Sequence, residues 1–268
     1  MSESRISVKD LTKVYGHKFT AVNKISFEVQ SGTIFAFLGP NGAGKSTTIK
    51  MLTTLTAPTS GSILVNGIDP TKDASAVRRS FGIVFQDPSL DDELTAYENM
   101  FFHAGLYNVP RDQTARRIEE MLNFVELWDR KDHLVKSFSG GMKRRLEIAR
   151  GLLHTPKILF LDEPTVGLDP QTRNHIWSYI KKLNKEQGLT VFFTTHYMDE
   201  VEKTADQVAI IDNGKIVATG SPQDIITRAG TTSLEEAFIN LTGHNIRAED
   251  ASGVDQLRSH ARLWGRRR

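Results

Sequence analysis

The sequence predicts an α/β fold: a sheet of short apolar strands carrying a glycine-rich turn, an antiparallel β subdomain ahead of it, and an inserted helical subdomain. Three observations predict it. Residues 33–38 read as a buried strand, Gly39, Pro40, Asn41, Gly42, Ala43, Gly44, Lys45, Ser46 and Thr47 as a glycine turn, and residues 47–52 as the first turns of a helix. Residues 157–161 form a second apolar strand that delivers Asp162 and Glu163 to its carboxyl end. Residues 81–85 and 190–195 are further short apolar runs, set apart by segments of helical periodicity.

The glycine turn has the spacing Gly, four residues, Gly-Lys-Ser. Strand, turn and helix aim backbone N–H groups and a positive helix end at one point, the geometry that holds polyphosphate. The glycines let main-chain donors approach oxygen closely. Lys45 is expected to reach the β- and γ-phosphates of a nucleotide, and Ser46 to put its hydroxyl on Mg²⁺.

Composition narrows the class. A chain of 268 residues accommodates one large α/β domain with an appendage, placed here at residues 1–243 and 244–268. Lys and Arg number 34 against 32 Asp and Glu, so no strong field invites nucleic acid. With no cysteine, disulfides, thiolate metal sites and cysteine catalysis are excluded. The start carries no signal-peptide pattern, and no apolar run approaches the ~20 residues needed to span a bilayer. A soluble protein on the cytoplasmic side is expected.

In chain order, residues 5–35 alternate through Ile6, Val8, Leu11, Ile25, Phe27 and Val29, which predicts antiparallel strands around the turn at Gly16. Tyr15 fits either a stack on a purine or a strand-end aromatic packed on its neighbours. Residues 62–67 read as a strand ending in a hairpin. Gln86 stands at the carboxyl end of the 81–85 strand, where open α/β sheets face their ligands; alone, an ordinary glutamine fits as well. Thr95 and Glu98 form a capping box for a helix with Tyr97, Phe101 and Ala104 on one face, taken as core. A second helix follows Pro110 through Ile118, Met121, Leu122 and Val125. The helical subdomain is thereby set at about 87–150.

Ser139 caps a helix with the apolar face Met142, Leu146, Ala149 and Leu153, and Ser139-Gly140-Gly141 is either a small anion site or a plain helix start. An Asp after such a strand, beside a phosphate loop, ordinarily holds Mg²⁺ indirectly, so Asp162 is the expected metal residue and Glu163 the group that orients and deprotonates water. Asp169 lies in the turn before the next helix. His196 ends the 190–195 strand on the ligand side, as a structural or a functional histidine. Residues 208–217 form a hairpin on Asn213-Gly214. Ser221 opens one helix, and Ser233 with Glu236 caps another. From about 244 the chain is poor in apolar residues and ends in a basic stretch.

In this order the motifs resemble one family, the ATP-binding subunits of ABC transporters, over residues 5 to about 240. The resemblance implies a P-loop NTPase core that binds ATP and Mg²⁺. It places Tyr15 on adenine, Gln86 as the sensor of Mg²⁺ and of a transmembrane partner, and Ser139-Gly140-Gly141 in the family signature. Asp162 becomes the magnesium aspartate, Glu163 the catalytic glutamate, Asp169 the turn that crosses a dimer, and His196 the switch histidine. Phe138 and Met142 stand where the signature usually has Leu and Gln. That Met form, the run from Lys143 to Arg150 and the late 233–243 segment resemble the drug-resistance exporter branch (daunorubicin-type), which pairs with separate ABC-2 type permeases. Two head-to-tail copies sandwiching ATP at the membrane's cytoplasmic face are implied. A non-transport ABC-type ATPase of repair, translation or assembly is the alternative, but the chain carries neither a long coiled coil nor a second cassette.

Overall fold

A computed structural model describes residues 4–16 and 18–243. Two long strands, β1 (Ser4–Tyr15) and β2 (Phe19–Gln30), pair antiparallel as their alternation demands. β3 (Ile34–Leu38) follows, buried along its whole length, and runs through the glycine turn into α1 (Lys45–Leu52). β4 (Ser60–Val65) returns to pair with β1, giving a three-stranded sheet in the order β2-β1-β4. The hairpin expected after β4 reduces to one bridge between Val65 and Ile68. Asn66 and Gly67 turn the chain at positive φ, but no second strand continues it.

The main sheet has the order β5-β6-β7-β3-β8-β9, formed by β5 (Phe81–Val84), β6 (Ile158–Asp162), β7 (Thr190–Thr195), β8 (Gln207–Asp212) and β9 (Lys215–Gly220). It is parallel except for the β8–β9 hairpin. Its central strands are buried on both faces, hence their continuous apolar runs. One face meets the small sheet through stacked rings of Phe27, Phe35 and Phe192. The other is covered by α6 (Pro170–Gln187), α7 (Met198–Thr204), α8 (Pro222–Ala229) and α9 (Leu234–Thr242), through residues such as Ile176, Ile180, Val201, Ile225 and Phe238.

Before β5 comes α2 (Ala74–Ser80), capped by Asp73; with Val77 as its one buried residue it leaves no periodic signal. Between β5 and β6 lie α3 (Ala96–Leu106), α4 (Arg111–Phe124) and α5 (Gly140–Leu152), which share a separate core of Met100, Ala104, Ile118, Leu122, Leu146 and Ala149. The Thr95–Glu98 capping box is formed. The predicted face of α3 is not: Ala104 is buried, but Phe101 is 52% exposed beside Phe102 at 58%, while Met100 fills the core. At α9, Ser233 accepts from the Glu236 N–H as expected, whereas the Glu236 carboxylate turns to Thr232 instead.

α5 touches the sheet through backbone. A Cβ on Gly82 would sit 2.1 Å from the carbonyl oxygen of Gly151, so only glycine lets β5 and α5 meet this closely. No helix among the described residues is long and apolar enough to cross a membrane. The basic tail expected from residue 244 lies outside the described residues.

Candidate functional site

The phosphate loop leaves β3 and enters α1 without a side-chain cap, so the first N–H groups of the helix keep their donors open. Gly44 has φ 110°, and a Cβ there would lie 2.5 Å from the carbonyl oxygen of Ala21. β2 is therefore laid directly against the loop. Lys45 is 5% exposed and folds back over the turn, donating to the carbonyls of Gly39 at 2.7 Å and Pro40 at 3.2 Å. Its Nζ also stands 3.0 Å from Glu163 Oε1.

Parallel pairing aligns the strand ends. Asp162, the last residue of β6, is in register with Thr194 of β7. Thr194 donates its hydroxyl to Asp162 Oδ1 at 2.5 Å, and Ser46 donates to the same oxygen at 3.3 Å. The Glu163 N–H turns back to Thr194, where the hydroxyl oxygen accepts at 3.0 Å. That turn holds Glu163 at φ 49°, a left-handed conformation seldom adopted by a side chain of its size and typical of over-determined sites.

Glu163 Oε2 lies 2.9 Å from His196 Nδ1. Burial opposes ionisation of this carboxyl, but the His196 hydrogen bond and the Lys45 charge outweigh it and hold Glu163 below the ordinary carboxylate range. A buried, ionised carboxylate beside an imidazole at a strand end is equipped to accept a proton from water. Lys45, Ser46, Asp162, Glu163 and His196 thus form one hydrogen-bonded group, joined by Thr194, which the sequence reading omitted. A threonine two residues ahead of His196 on the neighbouring strand was its available signal.

The other predicted residues fall in two further places. Ser139 caps α5 by accepting from the Met142 N–H at 3.2 Å. Gly141 faces Thr172 on α6, and Asp169 caps α6 through the Thr172 N–H and hydroxyl. A cleft of about 100 Å³ lies between these helix starts. No hydrogen bond or ion pair among the described residues joins this pair of helix starts to the Lys45–Glu163 group. Tyr15 is 40% exposed at the end of the β1–β2 hairpin, with the Lys13 ammonium 5.1 Å from its ring centroid.

Gln86 is exposed just beyond β5, and its carbonyl is what the fold holds: Arg144 donates to it at 3.1 Å and to the Phe85 carbonyl at 2.5 Å. Arg144 pairs with buried Glu147, which accepts from the Ser89 N–H, and Arg150 donates to the Ser89 carbonyl. Three successive turns of α5 therefore grip residues 85–89, a role the basic run did not announce.

Residues 22–166 match the family described as ABC transporter. The linearmycin resistance ATP-binding protein LnrL of Bacillus subtilis is 42% identical over 242 residues, covering 87% of this chain and 77% of that protein. The daunorubicin/doxorubicin resistance ATP-binding protein DrrA of Streptomyces peucetius is 41% identical, covering 85% and 69%. Among solved structures, a dimeric post-hydrolysis state of the ATP-binding cassette MJ0796, bound to ADP and phosphate, superimposes with a TM-score of 0.74 at 28% identity, covering 81% of this chain and 98% of that one.

Proposed function

This chain belongs to the ABC transporter family and is one of its ATP-hydrolysing subunits; from that premise we propose that it powers an ABC-2 type exporter of drug-like or lipid-like compounds, as half of a head-to-tail homodimer under a separate permease. The observation that carries the catalytic part is the contact of Lys45 and His196 with the two oxygens of Glu163, one strand end from the Ser46–Asp162 pair.

In this reading the loop from Gly39 to Thr47 cradles the triphosphate, and Lys45 swings from Glu163 to the β- and γ-phosphates. Ser46 would hold Mg²⁺ directly and Asp162 indirectly, with Gln86 at the β5 end. The donor set fits that ion: the Ser46 hydroxyl and Asp162 Oδ1 bring two hard oxygens together at 3.3 Å, and Mg²⁺ asks for one or two protein oxygens beside phosphate and water. Bound there, Mg²⁺ would neutralise phosphate charge. Glu163 takes the proton of the attacking water, and His196 orients Glu163 and the terminal phosphate. Tyr15 stacks on adenine at the hairpin whose next strand abuts Gly44.

The helix starts at Ser139-Gly140-Gly141 and Asp169 serve the nucleotide on the other copy, which accounts for an anion-binding helix start lying apart from its own loop. The dimeric MJ0796 cassette supports this assembly. A permease would dock on the exposed Phe101, Phe102 and Leu106 of α3 and on the loop at Gln86 that α5 grips, placing the chain peripherally on the membrane's cytoplasmic side. Two measurements test the proposal. Ser139→Arg is expected to spare ATP binding and block hydrolysis; lost binding would put the signature in its own pocket. Co-expression with six-span membrane proteins encoded beside it should yield a stable complex, and consistent failure to co-purify would overturn the exporter assignment.

A further inference from the structure

Glu200, on α7, has no part in the phosphate chemistry described above, yet it is 5% exposed. A carboxylate in the first turn of a helix suits the helix dipole, and neighbouring Asp199 does so from the surface. Burial is not needed for that purpose. Nor does an ion pair among the described residues reach Glu200: burial pushes its carboxyl up, and the Thr165 hydrogen bond and the Arg173 charge offset only part of that. What engages it is a pair of hydroxyls. Oε1 accepts from Thr165 at 2.5 Å and Oε2 from Thr195 at 3.3 Å, and both threonines are 1% exposed.

The two threonines mark the two sides of one contact. Thr165 lies two residues after Glu163, in the loop that leaves β6. Thr195 is the last residue of β7 and immediately precedes His196; its hydroxyl oxygen also accepts from the Tyr197 N–H at 3.0 Å. One carboxylate therefore fastens the segment that carries the base and the segment that carries the imidazole to the same point. The Glu163–His196 distance of 2.9 Å is set across those two segments. We propose that Glu200 is a positioning residue for hydrolysis: by holding Thr165 and Thr195 together it keeps Glu163 and His196 in register, without touching nucleotide.

The inference rests on the roles given above to Glu163 and His196. Geometry of this kind matters steeply, since a displacement of about 1 Å can cost on the order of 10²-fold in rate. With the full chain, kcat and KM for ATP in Mg²⁺ are measured beside the melting temperature for Glu200→Ala, Glu200→Gln, Thr165→Val and Thr165→Ser. Glu200→Ala and Thr165→Val are expected to lower kcat by about 10- to 100-fold with KM within about two-fold of wild type. Glu200→Gln and Thr165→Ser, which keep an acceptor and a hydroxyl, should recover most of it. Wild-type kcat in Thr165→Val, or no rescue by either conservative variant, overturns the proposal. Should Glu200→Ala fail to fold, the Thr165 pair decides. Full activity in Glu163→Gln would instead sink the underlying site assignment, so the two failures are separable.

Discussion

Glu163→Gln changes one oxygen for an amide nitrogen and nothing in shape. His196 can still be met by the amide, but Lys45 loses the charge that now stands 3.0 Å from its ammonium. At an effective dielectric of about 20 that contact is worth roughly 5–6 kcal/mol of Coulomb attraction, largely offset by the desolvation of both ions. Lys45 keeps the Gly39 and Pro40 carbonyls, so the fold should survive with a modest loss in melting temperature. Binding should also survive, because phosphate oxygens supply Lys45 with better acceptors than an amide. Hydrolysis should not. General-base assistance is typically worth about 10²–10⁴ in rate, or about 3–5 kcal/mol of barrier. The assays are phosphate release, calorimetric titration with ATP, and gel filtration with ATP and Mg²⁺, where an accumulated dimer is expected. Turnover within about ten-fold of wild type would refute the assignment of Glu163 as the proton acceptor. A strictly monomeric variant would count against the paired arrangement.

Lys45→Ala should weaken ATP binding itself by about 1.5–3 kcal/mol for each charge-assisted bond lost, read by calorimetry as a higher Kd. In the α5 grip, burial pushes Arg144 down and Glu147 up, against the attraction each charge offers the other. Glu147→Leu alone should destabilise by about 3–5 kcal/mol in denaturant titrations, and Arg144→Met added to it should restore part of the loss. His103 is held at about 3 by burial, with Arg150 and His154 adding repulsion. Its unfolded form takes a proton below about 6.5, so the stability it contributes above that pH is lost as pH falls from there to about 3. His103→Phe should flatten that portion of a melting-temperature profile, and an unchanged acid slope would contradict the burial argument.

How much was legible depended on whether a residue's signal was local. The Thr95–Glu98 box and the Asn213-Gly214 hairpin repeat within a few positions and formed as read. The apolar runs of β3, β6 and β7 gave their strands for the same reason: burial on both faces leaves no alternation to misread. Phe101 shows the limit. Helical spacing marks which residues share a face, but whether anything covers that face is decided by the packing of α4 and α5, where Met100 took the core position. Thr194 and Glu200 act on residues 32 and 35 positions away, through strand register and a helix crossing that no short pattern encodes. Arg144 carried no structural reading of its own in the sequence, because two of its partners are carbonyls of another segment, invisible to charge counting.

The meeting of Gly82 with Gly151 sets a pivot for the helix that begins at Ser139. Twelve residues of α-helix separate pivot from tip, about 18 Å, so a tilt of only about three degrees at the glycine contact swings the tip by about 1 Å. The hydrogen that stands in place of a side chain at Gly82 thereby bears on the aim of a serine hydroxyl at the other end of α5. A side chain added at Gly82 would act as a shim under a long arm, and its effect would be felt where the arm points, far from where it is wedged.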